Sequence, residues 1–148
     1  LRNKAGGARQ IVRFDGAEIN GMHWGYLLDQ FVCKNMNWCT DEHGGDLDGR
    51  LNFVRKIIVS IKEACGKDYP VYIRFTIKHY MHDYNKASLT GKDGFGRDLR
   101  DEIESAKKHE SYGVDMLNCN SDSYDGFYYA MSPYYIDTTA IILSSQGR

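Results

Sequence analysis

Phe14–Phe31 reads FDGAEINGMHWGYLLDQF, and the rest of the chain is organised around it. Gly16-Ala17-Glu18-Ile19-Asn20 has the small, apolar character of a strand buried on both faces, and the strand breaks at Gly21. The loop that follows carries His23 and Tyr26 next to Asn20, so three polar groups converge just past a strand end. In a parallel α/β sheet or barrel that is the open face where chemistry is done. Spacing alone leaves a second reading equally open, in which His23 and Tyr26 are loop polars with no task.

Outward from this stretch, strand and helix alternate. Residues 1–12 read as the end of a helix leading into the first strand. Asp46 stands as an N-cap before Leu47, Leu51, Val54, Ile58 and Ile61, which recur at helical spacing, and Gly66 follows as a stop. Pro70 then opens the strand VYIRFT, 71–76. A long connection from Ile77 to about Gly96 holds His79, Tyr80, His82 and Tyr84 and ends in GKDGFG, which lacks phosphate-loop spacing and reads as turn chemistry. A second helix is expected over 98–112, with Leu99, Ile103 and Ala106 inward and Gly113 as its cap. The third strand is VDMLNC, 114–119, and the aromatic-dense SDSYDGFYYAMSPYY beyond it suits a flat ligand or a packed lid. Such alternation is the grammar of parallel α/β architecture, but periodicity does not separate a barrel from an open sheet.

Composition sets the outer limits. With 148 residues, 42% apolar and 13% aromatic, the chain can bury one modest core. A net charge of −1 gives no footprint for nucleic acid or an anionic membrane. The chain begins at Leu1 without a signal-like apolar run, so it reads as an internal piece of something longer, and no stretch approaches a membrane span. The four cysteines, Cys33, Cys39, Cys65 and Cys119, are expected to be reduced thiols in a cytoplasmic protein. Cys33, Cys39 and His43 lie close in sequence and His79 and His82 form H-x-x-H, so a small metal-binding module must be weighed, although the spacing matches no C-x-x-C zinc pattern.

DGAEINGMHWGYLLDQF, NWCTDEHGGDLDGRLNF, PVYIRF and AKKHESYGVDMLNCNSDSYDGFYYAMSPYY together resemble the old yellow enzyme family of FMN-dependent oxidoreductases. The likeness is to the branch containing 2,4-dienoyl-CoA reductase and the bile-acid 3-oxo-steroid desaturases, and it runs from about Phe14 to Ile136. It implies an α/β fold, a partial (β/α)8 TIM barrel comprising approximately strands four to six with their helices. Residues 1–148 would form a single partial domain, with the strands that hold the FMN phosphate lying outside it. The implied cofactors are FMN with NAD(P)H as reductant, and 4Fe-4S and FAD in a further C-terminal part. The implied substrate is a small molecule, an enone, enoyl-CoA or 3-oxo-steroid, whose activated C=C bond is reduced or formed. The isolated stretch is expected to be inactive.

The resemblance also implies roles. Tyr26 matches the family's tyrosine proton donor, and a phenol with an ordinary pKa of about 10 is loaded to donate at neutral pH. Asn20 and His23 match the pair that hydrogen-bonds the substrate carbonyl, with Asn20 replacing the commoner histidine. Arg74, ending PVYIRF, matches the flavin-contacting arginine. The structural alternatives are a packed loop aromatic, a solvent-facing histidine and an arginine paired inside the barrel. Asp41, Glu42 and Arg50 read as scaffold tying the loop to the helix. Trp38-Cys39 replaces a basic pair, Met131 stands where close relatives tend to have histidine, and DTTAIILSSQGR leaves the pattern. Three function classes follow: an FMN-dependent ene-reductase or desaturase, an inactive barrel remnant serving association, and a metal-binding module. The barrel reading requires parallel strands with Asn20, Arg74 and Asn118 at one end.

Overall fold

In the computed structural model, residues 14–23, 25–79, 96–97 and 99–120 are described in full, and 81–83 and 86–87 by their backbone. The element order is β1 (Ala17–Met22), α1 (Leu27–Val32), α2 (Leu47–Cys65), β2 (Val71–Thr76), β3 (Met81–Asp83), β4 (Lys86–Ala87), α3 (Leu99–Ser111) and β5 (Met116–Asn120). β1, β2 and β5 form a parallel sheet in that order. The expected helix over 1–12 and the SDSYDGFYYAMSPYY segment lie outside the described residues.

Register does most of the work of building a site. Asn20 pairs with Arg74, and Arg74 with Asn118, so all three sit in one row near the carboxyl ends of the strands. Because side chains alternate along a strand, Ile19 and Ile73 fall in the row before and turn to the helices. This parallel arrangement is the one the barrel reading requires. β1 is not buried on both faces, however: Glu18 and Asn20 are exposed while Ile19 is buried. Polar residues occupy the side opposite the helices, as in a strand with one apolar face.

The ladder slips between Asn20 and Met22, leaving Gly21 as the extra residue of a β-bulge. A Cβ at Gly21 would stand 2.6 Å from Leu28 Cδ1 and 2.9 Å from its Cγ, so only glycine lets α1 pack this closely on the bulge. The bulge ends strand pairing and turns the chain into the His23 loop.

α2 supplies the core. Asp46 accepts from Gly49 N at 3.0 Å, and Gly66 ends the helix with φ of +99°. Leu51, Val54 and Ile58 are fully buried against Val71 and Ile73, each worth roughly 1.5–3 kcal/mol of burial. At the opposite end of the sheet from Asn20, the Asp115 carboxylate accepts from Val71 N at 2.8 Å and pairs with Lys62 Nζ at 2.7 Å, tying β2, α2 and the entry to β5 together.

α3 departs from the hydropathy reading. Leu99 and Ile103 are exposed, Ala106 is partly buried, and the inward positions are Glu102, Ser105 and His109. Glu102 is drawn inward by the Arg97 guanidinium, which rotates the apolar residues away from the core. His109 packs edge-on against Phe75 and Tyr112, and its two ring nitrogens make no hydrogen bond. Burial and the nearby Arg97 push it down to about 3, so it is a neutral core residue. The long connection after β2 contains a small antiparallel hairpin of β3 and β4, with only Tyr84-Asn85 between the paired Asp83 and Lys86. Among the described residues, no helix is long and apolar enough to cross a membrane.

Candidate active site

The turn after β1 brings three of the four expected site residues together. His23 Nε2 lies 2.5 Å from Asn20 Oδ1, and its ring meets Tyr26 edge-on with centroids 5.1 Å apart. Burial and the Arg74 charge hold His23 below its ordinary value, so the ring is neutral at pH 7. Asn20 Oδ1 can only accept, so the single N–H of that neutral ring is on Nε2 and donates to the amide. That bond engages the amide oxygen of the exposed Asn20 and not its NH2. Tyr26 is 40% exposed.

Arg74 joins from β2, across the ladder from Asn20. Its Nε is ion-paired with Glu18 Oε1 at 3.5 Å, and Glu18 Oε1 in turn accepts from Asn118 Nδ2 at 2.8 Å. Glu18 thereby ties Arg74 and Asn118 together beside Asn20. Among the described residues, an apolar groove of ≈ 500 Å³ runs along β1 from Phe14 and Tyr69 to Asn20 and Tyr26.

Behind the turn lies a charge network that sequence reasoning missed. Arg97 donates to Met22 O at 2.8 Å and to Asp29 Oδ1 at 2.9 Å, and its other nitrogens fork onto both Glu102 oxygens. Asp29 Oδ2 accepts from Gly25 N at 2.8 Å and faces His79 Nε2 at 3.3 Å. Asp29, His79, Arg97 and Glu102 are all buried. Gly96, at φ +94°, lets the chain pass over His79, since a Cβ there would meet His79 Nδ1 at 2.6 Å. The available signals were an aspartate inside the apolar GYLLDQF and an arginine directly after a glycine-rich turn.

Burial alone would lower His79, but its pairing with the Asp29 carboxylate 3.3 Å away, helped by the neighbouring Cys33, carries it up to about 9. Burial likewise pushes Asp29 up, while His79 and Arg97 bring it down to about 2. A raised histidine stabilises the fold fully below its unfolded value near 6.5 and loses that contribution as pH rises through 9; a lowered aspartate contributes above 3.8 and loses it as pH falls through 2. Urea denaturation should therefore show stability falling between pH 7 and 10 by roughly 2–3 kcal/mol more than in His79→Gln. Identical pH profiles for the two proteins would contradict this coupling.

The neighbouring loop is tied as scaffold. Arg50 donates to Val32 O and Gly45 O, both at 2.9 Å, Glu42 pairs with Lys56 at 2.5 Å, and Asp41 accepts from His43 N at 2.9 Å. No group of three metal-capable side chains gathers among the described residues, and the His82 side chain lies outside them.

Residues 3–112 match the NADH:flavin oxidoreductase / NADH oxidase family. The cinnamate reductase of Clostridium sporogenes is 43% identical over 124 residues, covering 82% of this chain and 19% of that protein. The NADPH dehydrogenase of Bacillus cytotoxicus is 32% identical over 124 residues, covering 84% and 30%. The chain thus spans less than a third of the length of these curated relatives. Among solved structures, 2-naphthoyl-CoA reductase with 2-naphthoyl-CoA aligns at a TM-score of 0.67 and 25% identity, over 84% of this chain and 17% of that one. TcOYE with pHBA aligns at 0.62 over 97% and 34%, and at 22% identity it speaks for the fold alone. The chain belongs to the NADH:flavin oxidoreductase / NADH oxidase family, and its three parallel strands with their helices match part of an old yellow enzyme TIM barrel.

Proposed function

We propose that this chain provides the proton-handling and carbonyl-binding part of an FMN-dependent oxidoreductase acting on a C=C bond conjugated to a carbonyl. The observation that carries the reading is the row at the strand ends: Asn20 beside Arg74, His23 bonded to Asn20, and Tyr26 edge-on to His23. Arg74 would lie at the electron-rich edge of a flavin, because its strand position puts it in the row of Asn20 and a fixed cation there favours the reduced ring. FMN, when bound, supplies hydride drawn from NAD(P)H. Tyr26 holds the proton that the α-carbon needs, at its phenolic oxygen. Asn20 Nδ2 donates to the substrate carbonyl, where negative charge builds, while His23 fixes the amide's orientation. His23 is thus assigned chiefly to orientation, because its one N–H already serves Asn20.

The likeness to a cinnamate reductase favours an α,β-unsaturated carboxylate or its thioester among the enone, enoyl-CoA and 3-oxo-steroid candidates. Residues 1–148 would act as one part of a single barrel domain, in the cytoplasm where the nicotinamide reductant is supplied. The test uses the protein at its full natural length. Flavin should copurify, and anaerobic NAD(P)H oxidation should depend on an added conjugated alkene and yield its saturated product. Protein that carries no flavin and shows no alkene-dependent oxidation would favour the inactive remnant instead.

A further inference from the structure

We propose that Asp29 and Arg97 form a buried clamp on the turn that carries His23 and Tyr26, and act as positioning residues for the groups assigned above. The inference rests on that functional reading for its purpose, but its geometry stands apart from it. Between the end of β1 and the start of α1 the backbone leaves the ladder, and its polar groups must find other partners. Met22 O is taken by Arg97 Nη1 at 2.8 Å and Gly25 N by Asp29 Oδ2 at 2.8 Å. Arg97 Nη1 and Asp29 Oδ1 are themselves 2.9 Å apart. A closed ring therefore joins the two ends of the turn through one ion pair.

Inside that ring lies the residue whose N–H orients Asn20, and Tyr26 follows directly, its N–H donating to His23 O at 3.1 Å. Gly25 takes φ of +75°, a shape open chiefly to glycine, so the turn has one well-defined form to hold. Both clamp residues are out of water: Asp29 is 0% and Arg97 3% exposed. Arg97 is held from behind by Glu102 and Asp29 by His79, which leaves the clamp itself little freedom. The planar fork of arginine is needed to reach Met22 O and Asp29 on one side and Glu102 on the other; a lysine ammonium offers no such fixed geometry. Its reach across 75 residues of sequence makes the position of the turn depend on the segment entering α3. A shift of about 1 Å in a reacting group is enough to cost rate on the order of 10²-fold, so a rigid turn matters to the proposed chemistry.

Amide exchange followed by NMR reads the clamp without flavin or substrate. In the unaltered protein the Gly25 amide should exchange at least about 10²-fold more slowly than an open peptide, and exchange at the open-peptide rate would overturn the clamp. In Asp29→Asn, Gly25 protection should fall by about 10-fold or more while Ile73 in β2 keeps its own, the signature of local release. Equal loss at both positions, or none at Gly25, would reduce the pair to core glue. Should Asp29→Asn fail to fold, Arg97→Lys is read in the same way, and the exchange rate in the unaltered protein decides by itself. At full natural length Asp29→Asn should lower kcat for alkene reduction more than it raises KM. If Gly25 is released and alkene reduction does not change, the clamp stands and the roles given to Tyr26 and His23 fall.

Discussion

Replacing Arg97 with methionine should cost the fold about 3–5 kcal/mol, a large share of the stability of a typical domain. The size follows from what is left behind. Asp29 and Glu102 are both buried, and each uses the Arg97 guanidinium as its counter-charge. Without it, two carboxylates face one another out of water, and Met22 O loses its donor. Burial already pushes Glu102 upward against the pull of Arg97, so loss of the cation should leave Glu102 protonated and Asp29 with His79 as its counter-charge and Gly25 N as its donor. A second substitution should recover part of the loss, because Arg97→Met with Glu102→Met removes the buried carboxyl together with its partner. Urea denaturation of the two single variants and the double variant closes the cycle. Additive losses would mean that the Arg97–Glu102 fork contributes no coupling.

How much of this was legible depends on which physical rule placed each residue. α2 was readable to its ends, because an apolar stripe, an N-cap aspartate and a stop glycine are all local signals. The row of Asn20, Arg74 and Asn118 was readable for a different reason. Parallel strands align their carboxyl ends, so residues that close each strand become neighbours once the sheet is parallel. Hydropathy turns Leu99 and Ile103 of α3 inward, whereas the inward face is set by the ion pair of Glu102 to Arg97, which the helix's own periodicity does not contain. The same blindness hid Asp29. Its partner lies 68 residues away, and nothing in GYLLDQF says which arginine will neutralise it. The spacing of His79 with His82 suggests a metal ligand; the structure engages His79 with Asp29. The Gly21 bulge left a trace as a glycine after a strand, but its cause, the Leu28 side chain packed against it, is tertiary.

Tyr26→Phe should slow reduction of a conjugated alkene by about 10²-fold or more, the usual scale for losing a positioned acid. The substitution removes one oxygen and little else: the ring keeps its edge contact with His23, and Tyr26 N still donates to His23 O. Consumption of NAD(P)H in the absence of alkene should be unaffected, since delivery of hydride to the flavin needs no proton from this phenol. Asn20→Ala should behave differently, weakening alkene binding as well as rate, because a carbonyl donor acts in the ground state and the transition state alike. It would also remove the Asn20 amide that His23 Nε2 meets at 2.5 Å. Rapid mixing separates the two half-reactions and reads each effect alone. If the alkene half-reaction runs at an unchanged rate in Tyr26→Phe, the phenol is not the proton source, and the imidazole 5.1 Å away becomes the next group to test.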